Sequence, residues 1–189
     1  LFQAGYLTIR RVETTWKGPI YYLGYPNKEV RVALNESLVR YYTQQGGGVE
    51  RLGQRVRVAF ESGRVDEVGE VLRSLFAGIP YEWYRRSTLS EYEGYYASVV
   101  YSFLAGTGLD LVAEEYTSRG RVDLVVRVEG RVYIIEFKVM EGEVGSAFEE
   151  LRRKGYEEKY RGGALEVYLV GIDFDPVERN IKTFKWERV

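Results

Sequence analysis

Residues 121–138, RVDLVVRVEGRVYIIEFK, set two runs of alternating apolar and polar side chains on either side of Glu129-Gly130. The Val, Ile and Tyr content of both runs favours strand, and glycine supplies the positive φ that a tight two-residue hairpin needs. With Val128 facing Arg131, antiparallel pairing sets Asp123 opposite Glu136 and Arg121 opposite Lys138. Period-two alternation then puts Glu136 and Lys138 on the same face. Two carboxylates and an amine gather at one end of that face. The other face, with Leu124, Val126, Ile135, Phe137 and Val139, is apolar and suits a core.

Cross-strand neighbours have Cβ atoms about 5 Å apart, where two like charges are normally destabilising. A hard divalent cation removes that conflict. Mg²⁺ accepts a few carboxylate oxygens and keeps several waters, which leaves room for a phosphate and an attacking water. A lysine beside it can orient or deprotonate the water, or offset charge on the phosphorus. The same spacing also occurs on solvated strand faces where acids and bases alternate, so D…ExK alone leaves both readings open.

Asp123, Glu136, Phe137 and Lys138 resemble the core of the PD-(D/E)XK nuclease superfamily, with Val122 where the signature proline would stand. The longer stretches GRVDLVVRVEGRVYIIEFKV, RRKGYEEKYRGG and VYLVGIDFDPVERNI together resemble the nuclease-like domain of an uncharacterised prokaryotic family. In that family the domain follows an AAA-ATPase-like region, and LFQAGYLTI, YYLGYPNKEVRVALNESL and LRSLFAGIPYE resemble the joining segment. The resemblance implies a restriction-endonuclease-like α/β core of αβββαβ order, a mixed sheet flanked by helices. It also implies nucleic acid, DNA above all, as substrate, an ATPase-like region as partner, and Mg²⁺ or Mn²⁺ as cofactor.

Composition narrows the chemistry. The 189 residues contain no Cys and no His, which excludes disulfides, thiolate catalysis, Cys/His zinc sites and any Ser-His-Asp arrangement. A metal must be held by oxygen, which again points to Mg²⁺ or Mn²⁺. Lys and Arg total 27 against 28 Asp and Glu, a net charge of −1. No global basic field draws the chain to nucleic acid, so such contact depends on local Arg and Lys. No membrane-spanning run or signal-peptide pattern occurs, and a cytoplasmic location is expected. Abundant Glu, Arg, Val and Tyr with few Asn and Gln suggest a thermophile. An opening on Leu1 and a strand-like pattern suggests a piece of a longer protein.

In chain order, residues 6–12 and 20–25 read as strands about a turn at Lys17-Gly18-Pro19. Asn27 can cap a helix over 28–42, with Val30, Leu34, Leu38 and Tyr41/Tyr42 as its apolar stripe. Residues 1–45 thus form a lid-like hairpin and helix similar to part of a winged helix, and its tyrosines suggest packing or domain coupling. Gln44 to Gly48 is the clearest break; it lacks the Lys-Ser/Thr of a phosphate-binding loop, so ATP hydrolysis is not expected of this chain. Helices over 49–60 and 65–77 make a linker spanning 46–88. Tyr81, Trp83 and Tyr84, followed by Arg85-Arg86, suit either base stacking or packing at a boundary.

The nuclease-like domain, 89–189, reads as helix 90–105, strand 109–117, the hairpin, helix 144–160, and strands 164–172 and 180–187. The run Ala164 to Phe174, which holds the first of these last two strands, is almost wholly apolar, as expected of a strand buried on both faces. In helix 144–160, Val144, Ala147, Phe148 and Leu151 face inward, leaving Arg152, Arg153, Lys154 and Lys159 towards solvent or a ligand.

By the resemblance, Asp123, Glu136 and the Phe137 carbonyl hold the metal, Glu93 completes the site, and Lys138 is catalytic with these acids. Glu93 is equally an acid in a helix's first turn, where the macrodipole favours it. Glu91, Glu114 and Glu115 are weaker candidates. Arg119, Arg121, Arg152, Arg153 and Tyr156 are further candidates for nucleic-acid contact, though surface pairing and packing account for them as well. Ala97 stands where many relatives have His, and Glu150 where they tend to have Gln. These departures leave an inactive nuclease-fold module for nucleic-acid or protein binding as the alternative function.

Overall fold

The computed structural model describes residues 1–43, 47–80, 82, 92–140, 146–163 and 165–189. Its centre is a five-stranded sheet ordered β3 (Asp110–Thr117), β4 (Gly120–Val128), β5 (Arg131–Val139), β6 (Glu166–Asp175) and β7 (Asn180–Arg188). Neighbouring strands are antiparallel except β5 and β6. That pair is parallel, so the chain must cross over between them. The crossover carries a helix, Ala147–Lys154, numbered α5 below.

The central hairpin forms in the expected register: Val128 faces Arg131 and the ladder runs to Leu124 opposite Ile135. Glu129 has φ 48° and Gly130 φ 75°. Positive values at both central residues give the primed turn that matches strand twist.

One face of the sheet is covered by α2 (Gly47–Glu61), α3 (Val65–Ala77) and α4 (Glu93–Gly106). There Phe60, Leu72, Phe76 and Tyr96 join Leu124, Val126, Ile135 and Phe137 in a single buried cluster. The Tyr96 ring stacks on Phe174 at 4.2 Å between centroids. On the other face Val125, Val132 and Ile134 pack with Leu151, Tyr156 and Tyr160. Because both faces are covered, β6 is buried along nearly its whole length, as its apolar run requires.

Three expectations need correction. The helix expected over 144–160 is α5 followed by a separate 3-10 turn, Tyr156–Lys159. Gly155, at φ 62°, ends α5 by donating its N–H to the Leu151 carbonyl, a left-handed cap that only glycine adopts without strain. Residues 144 and 145 of that expected helix lie outside the described ones. Second, Gly47 and Gly48 already belong to α2 where a flexible connection is expected; Val49, Val56 and Phe60 anchor it in the core despite the poor propensity of glycine.

The third concerns α1 (Lys28–Thr43), which Asn27 caps by accepting the Val30 N–H at 2.9 Å. Its buried residues are Asn35, Val39 and Thr43, and not the predicted stripe ending in Tyr41 and Tyr42, both of which are exposed. The helix packs on α4 at Gly106, where an added Cβ would come within 3.3 Å of the Glu36 backbone nitrogen. Close backbone approach at a glycine sets the rotation, which an apolar count does not register. Before α1, β1 (Thr8–Thr15) and β2 (Gly18–Gly24) pair about Trp16-Lys17, one residue earlier than the expected turn. Both faces of this hairpin are largely exposed, Ile9, Val12, Ile20 and Tyr21 included. Residues 83–86 of the aromatic-basic segment lie outside the described ones.

Candidate active site

The β4–β5 ladder ends at Leu124 and Ile135, and side chains take over from there. Asp123 Oδ2 accepts the Phe137 N–H at 2.9 Å. The Asp123 backbone N–H in turn is directed at the Glu136 carboxylate. The two acids therefore occupy the place where the strands part, each satisfying a backbone donor that no longer has a ladder partner. On the far side of Asp123, the β3–β4 register passes from Ala113 opposite Leu124 to Glu115 opposite Val122, and the intervening Glu114 has φ 54°. A non-glycine residue in that region is strained, and such strain collects at functional sites.

Charge is crowded here. Glu136 is 7% exposed. Burial, then the Asp123 charge and those of Glu150 and Glu93, push its carboxyl up to about 8. Its Oε2 is buried with no hydrogen-bond partner. Burial also raises Asp123, although the Phe137 N–H opposes the shift. Glu93, in the first turn of α4, is raised by burial and then by Asp123, with Lys138 opposing. The three acids thus share one crowded site, and each carboxyl is raised above its ordinary range.

Cations sit at the rim. Lys138 Nζ lies 2.8 Å from Glu150 Oε2 on α5. The hydrogen bond from Lys138 is the largest influence holding the Glu150 carboxyl below its ordinary range. Arg121 pairs with Glu114 at 3.0 Å. Sequence reading singled out Glu150 only as a departure from relatives and missed it as the partner of Lys138. It also missed what holds α5 in place. Gly171 lies opposite Glu136 in the parallel ladder, and an added Cβ there would be 2.3 Å from the Phe148 backbone nitrogen. Buried Asp173, opposite Lys138, accepts the Ala147 N–H at 2.8 Å, the first residue of α5. The buried run of β6, Val167 to Phe174, carries one glycine and one acid, and those two exceptions were the available signal.

The remaining predicted contacts are placed as follows. Arg119 makes two bonds to Glu158, at 2.7 and 2.8 Å. Arg152 reaches Glu187 at 3.3 Å, and Arg153 lies 3.8 Å from Glu150. Tyr156 is buried and donates to the Arg121 carbonyl at 3.0 Å, so its ring belongs to the packing under β4. Glu115 receives Arg127, Lys159 and Tyr160, tying the 3-10 turn to β3. Glu91 lies outside the described residues.

Among the described residues, no group of three or more acids is drawn tightly enough to form a ready-made metal cage. The donor chemistry nevertheless fits a hard cation. A buried carboxylate oxygen lacks a partner beside two further acids that burial and mutual repulsion hold towards protonation. Mg²⁺ is commonly bound through one or two carboxylates with waters completing its shell.

A mixed sheet flanked by helices, with paired acids where two central strands diverge, defines a restriction-endonuclease-like fold. Residues 91–184 match the family model of the PD-(D/E)XK nuclease superfamily, and over that region the chain belongs to the superfamily. Its members generally use divalent metal ions. The chain is also similar to a protein of Azotobacter chroococcum mcd 1 described as an uncharacterized protein in the vnfD 5′ region. The two are 40% identical over 185 residues, which is 97% of this chain and 36% of that protein. The chain therefore spans about a third of the length of this relative. No solved structure matches it. No helix among the described residues is long and apolar enough to cross a membrane.

Proposed function

We propose that the chain is a divalent-metal-dependent nuclease domain that hydrolyses phosphodiester bonds in DNA, coupled in a longer protein to an ATPase-like region. The observation that carries this reading is the convergence of Asp123 and Glu136 where β4 and β5 part, with Glu136 Oε2 buried and unsatisfied. Superfamily membership supports the reaction class. The ATPase coupling rests on the resemblance of residues 1–9, 21–38 and 72–82 to a joining segment and on the greater length of the Azotobacter relative.

In this reading Asp123, Glu136 and the Phe137 carbonyl hold Mg²⁺ or Mn²⁺, and Glu93 contributes directly or through water. The cation, when bound, supplies Lewis-acid polarisation of the phosphoryl oxygen. Lys138 positions the attacking water, and its pairing with Glu150 fixes the amine beside the acids. The Phe137 N–H holds the Asp123 carboxylate in orientation. Arg121, held by Glu114, lies at the rim where a substrate phosphate would enter.

The test compares Mg²⁺-dependent DNA cleavage by the chain with that of Lys138→Ala and Glu136→Ala. Loss of cleavage in both variants is expected. Equal activity in all three would overturn the assignment of the site.

A further inference from the structure

The carboxylates open into a cavity of about 590 Å³ that extends beyond the groups assigned to the chemistry. Asp123, Glu93 and Arg121 line one end. The other end is made by the N-terminal segment: Tyr25 and, from α1, Asn35 and Leu38 face Tyr101 of α4. The α4 wall between them is low. An added Cβ at Gly94 would meet nothing within 4 Å, and Ala97 and Ser98 follow it.

The far end carries aromatic and amide groups in place of charge. Asn35 is 1% exposed, and its Nδ2 donates to the Arg31 carbonyl at 2.7 Å and to Tyr25 Oη at 3.3 Å. Burial, then the neighbouring Tyr25, raises the Tyr101 phenol, whose hydroxyl can donate. An amide and two tyrosines lining one cavity suit the polar edge and flat face of a nucleobase. The volume lies within the range of roughly 300–1,000 Å³ typical of small-ligand sites.

We propose that this cavity holds one unpaired nucleobase of the substrate strand, next to the phosphodiester bound at the carboxylates. The inference rests on the nuclease reading and deepens it by naming a substrate class: single-stranded or frayed nucleic acid. A base inside a continuous duplex reaches such a cavity only after unstacking and unpairing, which costs a few kcal/mol. A strand already unpaired does not meet that cost. The lid-like segment thereby acquires a role at the site through Tyr25 and Asn35.

The test uses the full chain in Ca²⁺ with three oligonucleotides carrying the fluorescent adenine analogue 2-aminopurine: a single strand, a duplex with one unpaired terminal nucleotide, and a blunt duplex. Binding of the first two is expected to change 2-aminopurine emission and to be roughly tenfold tighter than that of the blunt duplex. Ser98→Trp, an exposed position on the cavity wall, should abolish this preference. The emission change is read on the unsubstituted chain, so the result does not depend on how the variant folds. Equal affinity for single strand and blunt duplex with no emission change overturns the base site and leaves the nuclease reading standing. Failure to bind any of the three overturns both.

Discussion

At the scale of single residues, Glu136 is an acid that the fold buries and leaves with one unsatisfied oxygen. Its carboxyl moves from an ordinary 4.5 up to about 8. Between those values the folded state holds a proton that the unfolded state has released. Without metal, this contribution to stability is full below about 4.5 and is lost as pH rises through about 8. We expect Glu136→Gln to flatten that slope and raise the metal-free melting temperature at pH 8, with Mg²⁺ restoring the unsubstituted chain. A melting temperature independent of substitution between pH 5 and 8 would contradict this. Lys138→Met should lower the turnover rate by about 10²–10⁴-fold while sparing Mn²⁺ affinity, because its proposed work is on the water. A matched loss of metal affinity, read by calorimetry, would make Lys138 a structural partner of the acids. The hairpin register that leads to Asp123 and Glu136, from Val128 opposite Arg131 to Leu124 opposite Ile135, was legible because a two-residue turn and a period of two fix it locally. The pairing of Lys138 with Glu150 was not, because it depends on where a helix in another part of the chain comes to rest.

At the scale of elements, α5 rests where it does because Gly171 admits the Phe148 backbone and Asp173 accepts from its first residue. Gly171→Ala should cost about 1–3 kcal/mol, since backbone gives way less readily than a side chain. Asp173→Ala should cost about 1 kcal/mol by removing the acceptor at the start of α5. Chemical denaturation measures both; an unchanged midpoint for Gly171→Ala would mean that α5 shifts freely. The strands and their order could be read from apolar alternation, because each strand is judged against neighbours close in sequence. The rotation of α1 could not. Asn35 and Thr43 are buried while Tyr41 is exposed, a result of packing at Gly106 that no apolar periodicity encodes. The break at Gly155 was open to reading, since glycine after a basic last turn is a helix stop.

At the scale of the whole molecule, one apolar cluster joins α2 and α3 to the sheet of the superfamily region. Trp186 of β7 donates to Asp66 of α3 at 2.7 Å, and the Phe184 ring lies over Gly69. A fragment of residues 89–189 should therefore expose the face around Tyr133 and Phe184, which Phe60 and Gly69 cover, and bind a hydrophobic dye that the full chain does not. Native dispersion and a sharp thermal transition for that fragment would show that residues 46–88 are dispensable. The account as a whole depends on two mutually repelling acids that a cation reconciles. Calorimetric titration of the chain with Mn²⁺ tests this most directly: saturable binding that Asp123→Asn abolishes is the predicted result, and no binding, or binding indifferent to that substitution, would contradict it.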